Sequence, residues 1–184
     1  MKRKELVHFT LHGTGQAADL SSALMGVAMF LPVIDFVAVR GLSACGGWEI
    51  FSGLVLPLLL CGAWLVLVRL FHWADARAFG ILGAAVCVLL AVQLFSCGDA
   101  FRIVGGLIWY LLTGALLVLA VFGYFAIRPL LFATVFLPAL LRLWMLIGAC
   151  TGWNGFLRSL PDISAVCMLF ALCCLPVMLK PEQK

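Results

Sequence analysis

From Ile103 to Ile127 the chain reads IVGGLIWYLLTGALLVLAVFGYFAI without one charged side chain, and Arg102 and Arg128 bracket the run. A hydrocarbon core of roughly 30 Å needs about 20 mostly apolar residues per helix, so this stretch reads as a transmembrane helix. Similar runs lie on both sides. Arg128-Pro129 separates it from a fifth, Leu130 to Ala149, because proline disfavours helix at the residue before it. Upstream, the turns His72 to Arg77 and Cys97 to Arg102 set off a third run, Ala78 to Phe95, and a second extends from Ile50 to Leu70. Asp19, Ser21 and Ser22 open the first, Leu20 to Val39, which Pro32 and Asp35 interrupt and Arg40, Gly41, Gly46 and Gly47 end. A sixth run ends at Leu179, and its start is open between Asn154 and Ile163.

Composition agrees. The 184 residues are 65% hydrophobic and 11% charged, with a mean hydropathy of +1.19, outside the range of soluble domains. The expected fold is an all-α integral membrane bundle of six transmembrane helices. Residues 1–19 form a cytoplasmic or interfacial segment, 20–179 the membrane domain and 180–184 a cytoplasmic tail. Val7, Phe9 and Leu11 alternate with His8, Thr10 and His12, as in a segment at the interface or loosely ordered. The two histidines lack acidic or thiol companions, so no metal is expected there. Lys2, Arg3 and Lys4 precede this mixed stretch and not a long apolar run, so no cleavable signal peptide is read.

The net charge of +4 comes mainly from segment ends and carries topology, not a nucleic-acid footprint. Six crossings put both termini on one side. Lys2, Arg3, Lys4, Arg69, Arg77, Arg128, Lys180 and Lys184 lie there, against Arg40, Arg102 and Arg158 opposite. The excess favours cytoplasmic termini in a plasma or bacterial inner membrane. Trp73 at the inner boundary and Trp48 and Trp153 at the outer one match the interfacial preference of tryptophan.

Phe30-Leu31-Pro32 recurs as Phe136-Leu137-Pro138, and each is followed by the pattern Cys-x-Gly-Trp-x-x-Phe: Cys45, Gly47, Trp48 and Phe51, then Cys150, Gly152, Trp153 and Phe156. Leu56-Pro57 and Leu160-Pro161 come next at nearly equal distances. Cys97 falls almost midway between Cys45 and Cys150, although the middle unit lacks both Phe-Leu-Pro and Gly-Trp. The expectation is parallel helix hairpins near residues 20–76, 77–128 and 129–180, related by an axis along the membrane normal. Solute sites in repeat-built transporters lie between such units near the midplane. Three parallel hairpins with kinked odd-numbered helices resemble the plan of mitochondrial carriers, but the charged Pro-x-Asp/Glu-x-x-Lys/Arg signature is absent and the chain is too short. Size and helix count resemble the substrate-binding subunits of energy-coupling-factor vitamin transporters, without a supporting motif.

Arg142 lies inside the fifth run, where a charge costs about 2.5 to 3.5 kcal/mol on insertion scales and should face protein or water. Asp35 follows Pro32 and Arg142 follows Pro138 at nearly one depth, so the two could pair, either as part of a site or as a brace. If the sixth helix begins near Asn154, Arg158 and Asp162 lie four apart on one face; otherwise they belong to a solvated loop. The candidate ligand-binding residues are therefore Asp35, Arg142, Arg158, Asp162, Trp48 and Trp153. Cys45, Cys97 and Cys150 are expected at the outer surface, where disulfides are permitted. Cys61, Cys87, Cys167, Cys173 and Cys174 read as packing residues. No Cys-x-x-Cys, Walker loop, nucleophile elbow or His-Glu-x-x-His occurs. Neither an enzyme nor a cofactor is expected. The expected partners are the bilayer and a small solute, for a binding or transport protein or a transporter's membrane subunit. The alternatives are a non-transporting assembly, sensor or accessory protein with a membrane-protein partner, and, behind these, a thiol-redox membrane enzyme.

Overall fold

A computed structural model describes residues 9–11, 16–70, 76–94, 100–121 and 128–181. A short strand β1, Phe9–Leu11, precedes α1, Gln16–Ile34, which continues through a π-helical turn, Asp35–Arg40. After a 3₁₀ turn, Leu42–Ala44, come α2, Gly47–Ile50, a second π-helical turn, Phe51–Val55, and α3, Leu56–Leu70. The remaining helices are α4 (Ala76–Leu94), α5 (Ala100–Val121), α6 (Arg128–Ala149), α7 (Gly152–Arg158) and α8 (Leu160–Met178), ending in strand β2, Leu179–Pro181.

The architecture is a helical bundle with apolar helices suited to a membrane. Among the described residues three helical stretches are long and apolar enough to cross a membrane, Gln16–Arg40, Gly47–Arg69 and Phe132–Ala149, and the bent pair α7 and α8 counts as a fourth if it is one span. The apolar parts of α4 and α5, Ala78–Leu94 and Ile103–Leu119, are shorter. Long helices adjacent in the chain pack on one another, and α8 returns to α1, closing the bundle, while also touching α4. Buried residues occur all around α8, from Ser164 and Ala165 to Leu175, as expected of a helix apolar on every side.

Polar side chains clip this interior. The fully buried Trp64 on α3 donates its indole N–H to Ser21 Oγ at 3.0 Å, and Ser21 donates to the Ala171 carbonyl of α8 at 3.2 Å. Trp64 also meets Phe79 of α4 edge to face at 5.5 Å. One indole thus joins four helices, and its polar end is satisfied where lipid could not satisfy it.

Pro32 and Pro138 lie inside α1 and α6. A proline has no N–H, so the carbonyl four residues earlier loses its helical donor. Those carbonyls belong to Ala28 and Thr134, and a neighbouring helix reaches each of them. Ser164 Oγ of α8 donates to Ala28 at 2.8 Å, and Trp109 Nε1 of α5 donates to Thr134 at 2.6 Å.

Three expectations change. The stretch after Cys150 is not one helix: α7 and α8 meet at Ser159 with a 58° bend. Pro161 cannot donate to the Leu157 carbonyl, which favours a bend there. Arg158 therefore ends α7 while Asp162 sits in the first turn of α8, and the two do not share one helix face. Asp35 pairs with Arg40 at 2.8 Å, not with Arg142. The stretch near the N-terminus is not loose at residues 9–11, because β1 pairs antiparallel with β2, Thr10 opposite Lys180.

Candidate functional site

At the end of the bundle opposite the paired strands, the two copies of Cys-x-Gly-Trp-x-x-Phe adopt similar local geometry. In the first, Trp48 and Phe51 lie on one side of a short helical segment with ring centroids 6.0 Å apart; in the second, Trp153 and Phe156 are 5.9 Å apart. Both tryptophans are exposed, 68% and 73%. The first segment continues through the π-helical turn Phe51–Val55 into α3, whereas the second ends at the bend at Ser159. Glu49 caps the first copy, accepting from the Gly46 N–H at 3.4 Å. α7 packs against the Asp35–Arg40 turn, so both copies lie at one end of the molecule.

Asp35 is 3% exposed although it is a carboxylate. Arg40, which also lies over the Phe36 ring at 5.5 Å, is its ion-pair partner. Hydrogen bonds in a π-helical turn run i→i+5, and its wider turn brings Asp35 and Arg40 nearer to one side than an α-helix would.

Arg142 stands elsewhere. It is half-buried on α6, about 10 Å of helix rise before Ala149, and its guanidinium lies over the Tyr110 ring of α5 at 5.5 Å. Together they line an open-sided cavity of about 810 Å³ between α5 and α6, bordered by Leu94 of α4 and by the exposed Asp162 of α8. Trp109, Pro138, Leu141 and Met145 complete the apolar wall. Among neighbouring long helices, α5 and α6 pack least closely, and Leu137, Leu141 and Met145 on the rim are exposed. The volume falls within the usual range for ligand pockets, and so does the composition, mostly apolar with a few convergent polar groups. Among the described residues, neither Arg142 nor Asp162 has an ion-pair partner; the pairs are Arg40 with Asp35 and Arg69 with Asp19.

No family model, curated protein or solved structure matches this chain.

Of the sequence-derived candidates, the structure brings together Arg142 and Asp162. Asp35 is held by Arg40, Arg158 is exposed at the end of α7, and Trp48 and Trp153 face outward from the bundle end. Sequence reasoning missed Trp109 and Tyr110, which carry no charge and sit in a run whose every residue looks like lipid-facing or core material. A usable signal existed, since a tryptophan's N–H inside a membrane span requires an acceptor. Cys45 and Cys150 are half-buried and free, and Cys45 donates to the Gly41 carbonyl at 3.5 Å. Cys97, Asp99 and Trp73 lie outside the described residues. Cys61, Cys87, Cys173 and Cys174 are buried, and Cys167 is half-buried. Among the described residues no three His, Cys, Asp or Glu side chains gather as metal ligands would.

Proposed function

We propose that the chain binds or carries a small solute in the cavity between α5 and α6, as a transport protein or the membrane subunit of one. The observation that carries this reading is Arg142, a charge placed about two turns inside an apolar helix and opening on a cavity, where it has no carboxylate partner among the described residues. A buried charge costs several kcal/mol, and a site that needs it is the common reason to keep one.

The finer topology belongs to the same proposal. Six crossings with both ends cytoplasmic, in a plasma or bacterial inner membrane, put the cavity in the outer half. The pairing of β1 with β2 supports an even number of crossings, since it holds the two chain ends together. Similar geometry in the two Trp-Phe segments, and the matching repair of the Ala28 and Thr134 carbonyls, support parallel repeated hairpins near 20–76, 77–128 and 129–180. Tryptophans 48 and 153 then act as interfacial anchors and not as ligands.

One observation favours the rival, an accessory protein whose polar groups only brace the bundle: Asp35 is already matched by Arg40. A stability-shift screen of purified protein separates the two. Amino acids, carboxylates, amines and sugars are added singly to wild type and to Arg142→Leu. Binding to the folded state raises the melting temperature by mass action. We expect at least one class to raise it in wild type and not in the variant; no class doing so, or equal shifts in both, supports the rival.

A further inference from the structure

Resting on that reading, we infer that the cavity between α5 and α6 takes a zwitterion, a small head bearing both a primary ammonium and an anionic oxygen group, on an apolar body. Among the described residues, Arg142 and Asp162 are the charged side chains lining the cavity, and they have opposite signs. They come from different helices and, among the described residues, do not form an ion pair with each other. A monoanion would satisfy Arg142 and be repelled by Asp162. A monocation would meet the reverse, and a neutral solute would leave the half-buried Arg142 unmatched beside the exposed Asp162. Only a molecule carrying both signs complements both walls, and mismatched charges select against the others.

The donor and acceptor chemistry narrows the head. Stacking over Tyr110 holds the guanidinium plane of Arg142, and a planar fork matches a carboxylate or phosphodiester through two parallel N–H bonds. A carboxylate only accepts, so Asp162 calls for an N–H donor, and an ammonium offers three. The body meets Trp109, Leu137, Leu141 and Met145, and the exposed rim on α6 gives it a way in from the side. An apolar amino acid arriving from water carries this chemistry, and so does the ethanolamine phosphodiester of a phospholipid arriving from the membrane.

The test uses full-length protein in phosphatidylglycerol nanodiscs. Leucine, phenylalanine and tryptophan are each compared with their N-acetyl and carboxamide forms, which keep the body and remove one charge. In a parallel arm, native mass spectrometry measures retention of phosphatidylethanolamine against phosphatidylglycerol. If the amino acid is the source, at least one binds about tenfold or more tighter than both singly charged analogues, the size expected for one charged hydrogen-bond contact. If the lipid is the source, phosphatidylethanolamine is retained selectively instead. In either case Arg142→Gln and Asp162→Asn both weaken the zwitterion, and Asp162→Asn shifts preference toward the N-acetyl or anionic form. Because the charge preference is read on wild type, the result does not depend on either variant folding. Equal binding of an N-acetyl form, unchanged by Asp162→Asn, would make this an anion site; the inference then fails while the proposed function stands. No preference for a zwitterion in either arm also overturns the inference. The proposed function falls with it only if the broader screen finds no shift that depends on Arg142.

Discussion

Pro32 and Pro138 each cost their helix a donor, and in each case the missing hydrogen bond is replaced from a different helix. Ser164 serves the Ala28 carbonyl and Trp109 serves Thr134. Interhelical hydrogen bonds in membranes average about 0.6 kcal/mol and reach about 1.7. Because the carbonyls are freed by proline, Ser164→Ala and Trp109→Phe should cost near the upper part of that range by reversible unfolding in detergent. The decisive measurement is a double-mutant cycle: Pro32→Ala restores an N–H that reaches Ala28, so the cost of Ser164→Ala should shrink in that background. An undiminished cost would mean that the hydroxyl matters only as packing. Asp35 yields a second prediction. Arg40→Leu strands a buried carboxylate and should destabilise by about 3 to 5 kcal/mol, whereas Asp35→Leu with Arg40→Leu should be tolerated better than Arg40→Leu alone. A double variant as unstable as that single one would contradict the pairing. Arg142 was legible in the sequence because a lone charge in a long apolar run has few explanations. The partner of Asp35 was not, because pairing at five residues is eased by the helix widening into a π turn, and nothing in an α-helical period announces that.

Those π turns matter at the level of the hairpin. The one at Asp35–Arg40 puts Phe36 inward, buried, with its ring against Gly53 in the other π turn, Phe51–Val55. A Cβ at residue 53 would stand 3.0 Å from that ring, closer than ordinary contact. Gly53→Ala should therefore destabilise the first hairpin by about 1 to 3 kcal/mol, the usual cost of overpacking. Phe36→Leu in the same chain should recover part of it, and thermal unfolding of the single and double variants decides. Gly106 against Leu94 is a tighter approach at the mouth of the cavity. There the Leu94 side chain is the part that must yield, so Gly106→Ala should be read in ligand binding before stability. Most helix positions followed from apolar runs bounded by arginine, glycine or proline. The start of the last helix did not, because Asn154 and Ile163 each begin apolar sequence. Pro161 withholds a donor from the Leu157 carbonyl and favours the bend at Ser159, but Pro32 and Pro138 sit inside continuous helices, so proline alone does not decide it.

Across the whole molecule, β1 and β2 gather the chain ends while Cys45 and Cys150 lie at the far end of α1 and α6. With six crossings, Cys45, Cys97 and Cys150 share one side of the membrane, and positions 10 and 180 share the other. Cys97 is the discriminating site: it joins α4 to α5, whose described apolar parts are shorter than the three long stretches. If those two helices cross, a membrane-impermeant maleimide applied to intact cells should label single-cysteine variants keeping Cys45, Cys97 or Cys150. Thr10→Cys and Lys180→Cys, each in a cysteine-free background, should label only after permeabilisation. Labelling of Cys45 and Cys150 without Cys97, even after denaturation makes Cys97 reactive, would place the α4 and α5 junction inside and reduce the crossings to four. Reaction of Cys45 and Cys150 only after permeabilisation would invert the topology and move the cavity to the cytoplasmic half. A solute arriving from the cell interior would then be the one to seek. If Cys45 and Cys150 fell on opposite sides, the parallel relation between the hairpins would fail, since equal segments in equal orientation must return the chain to the same face.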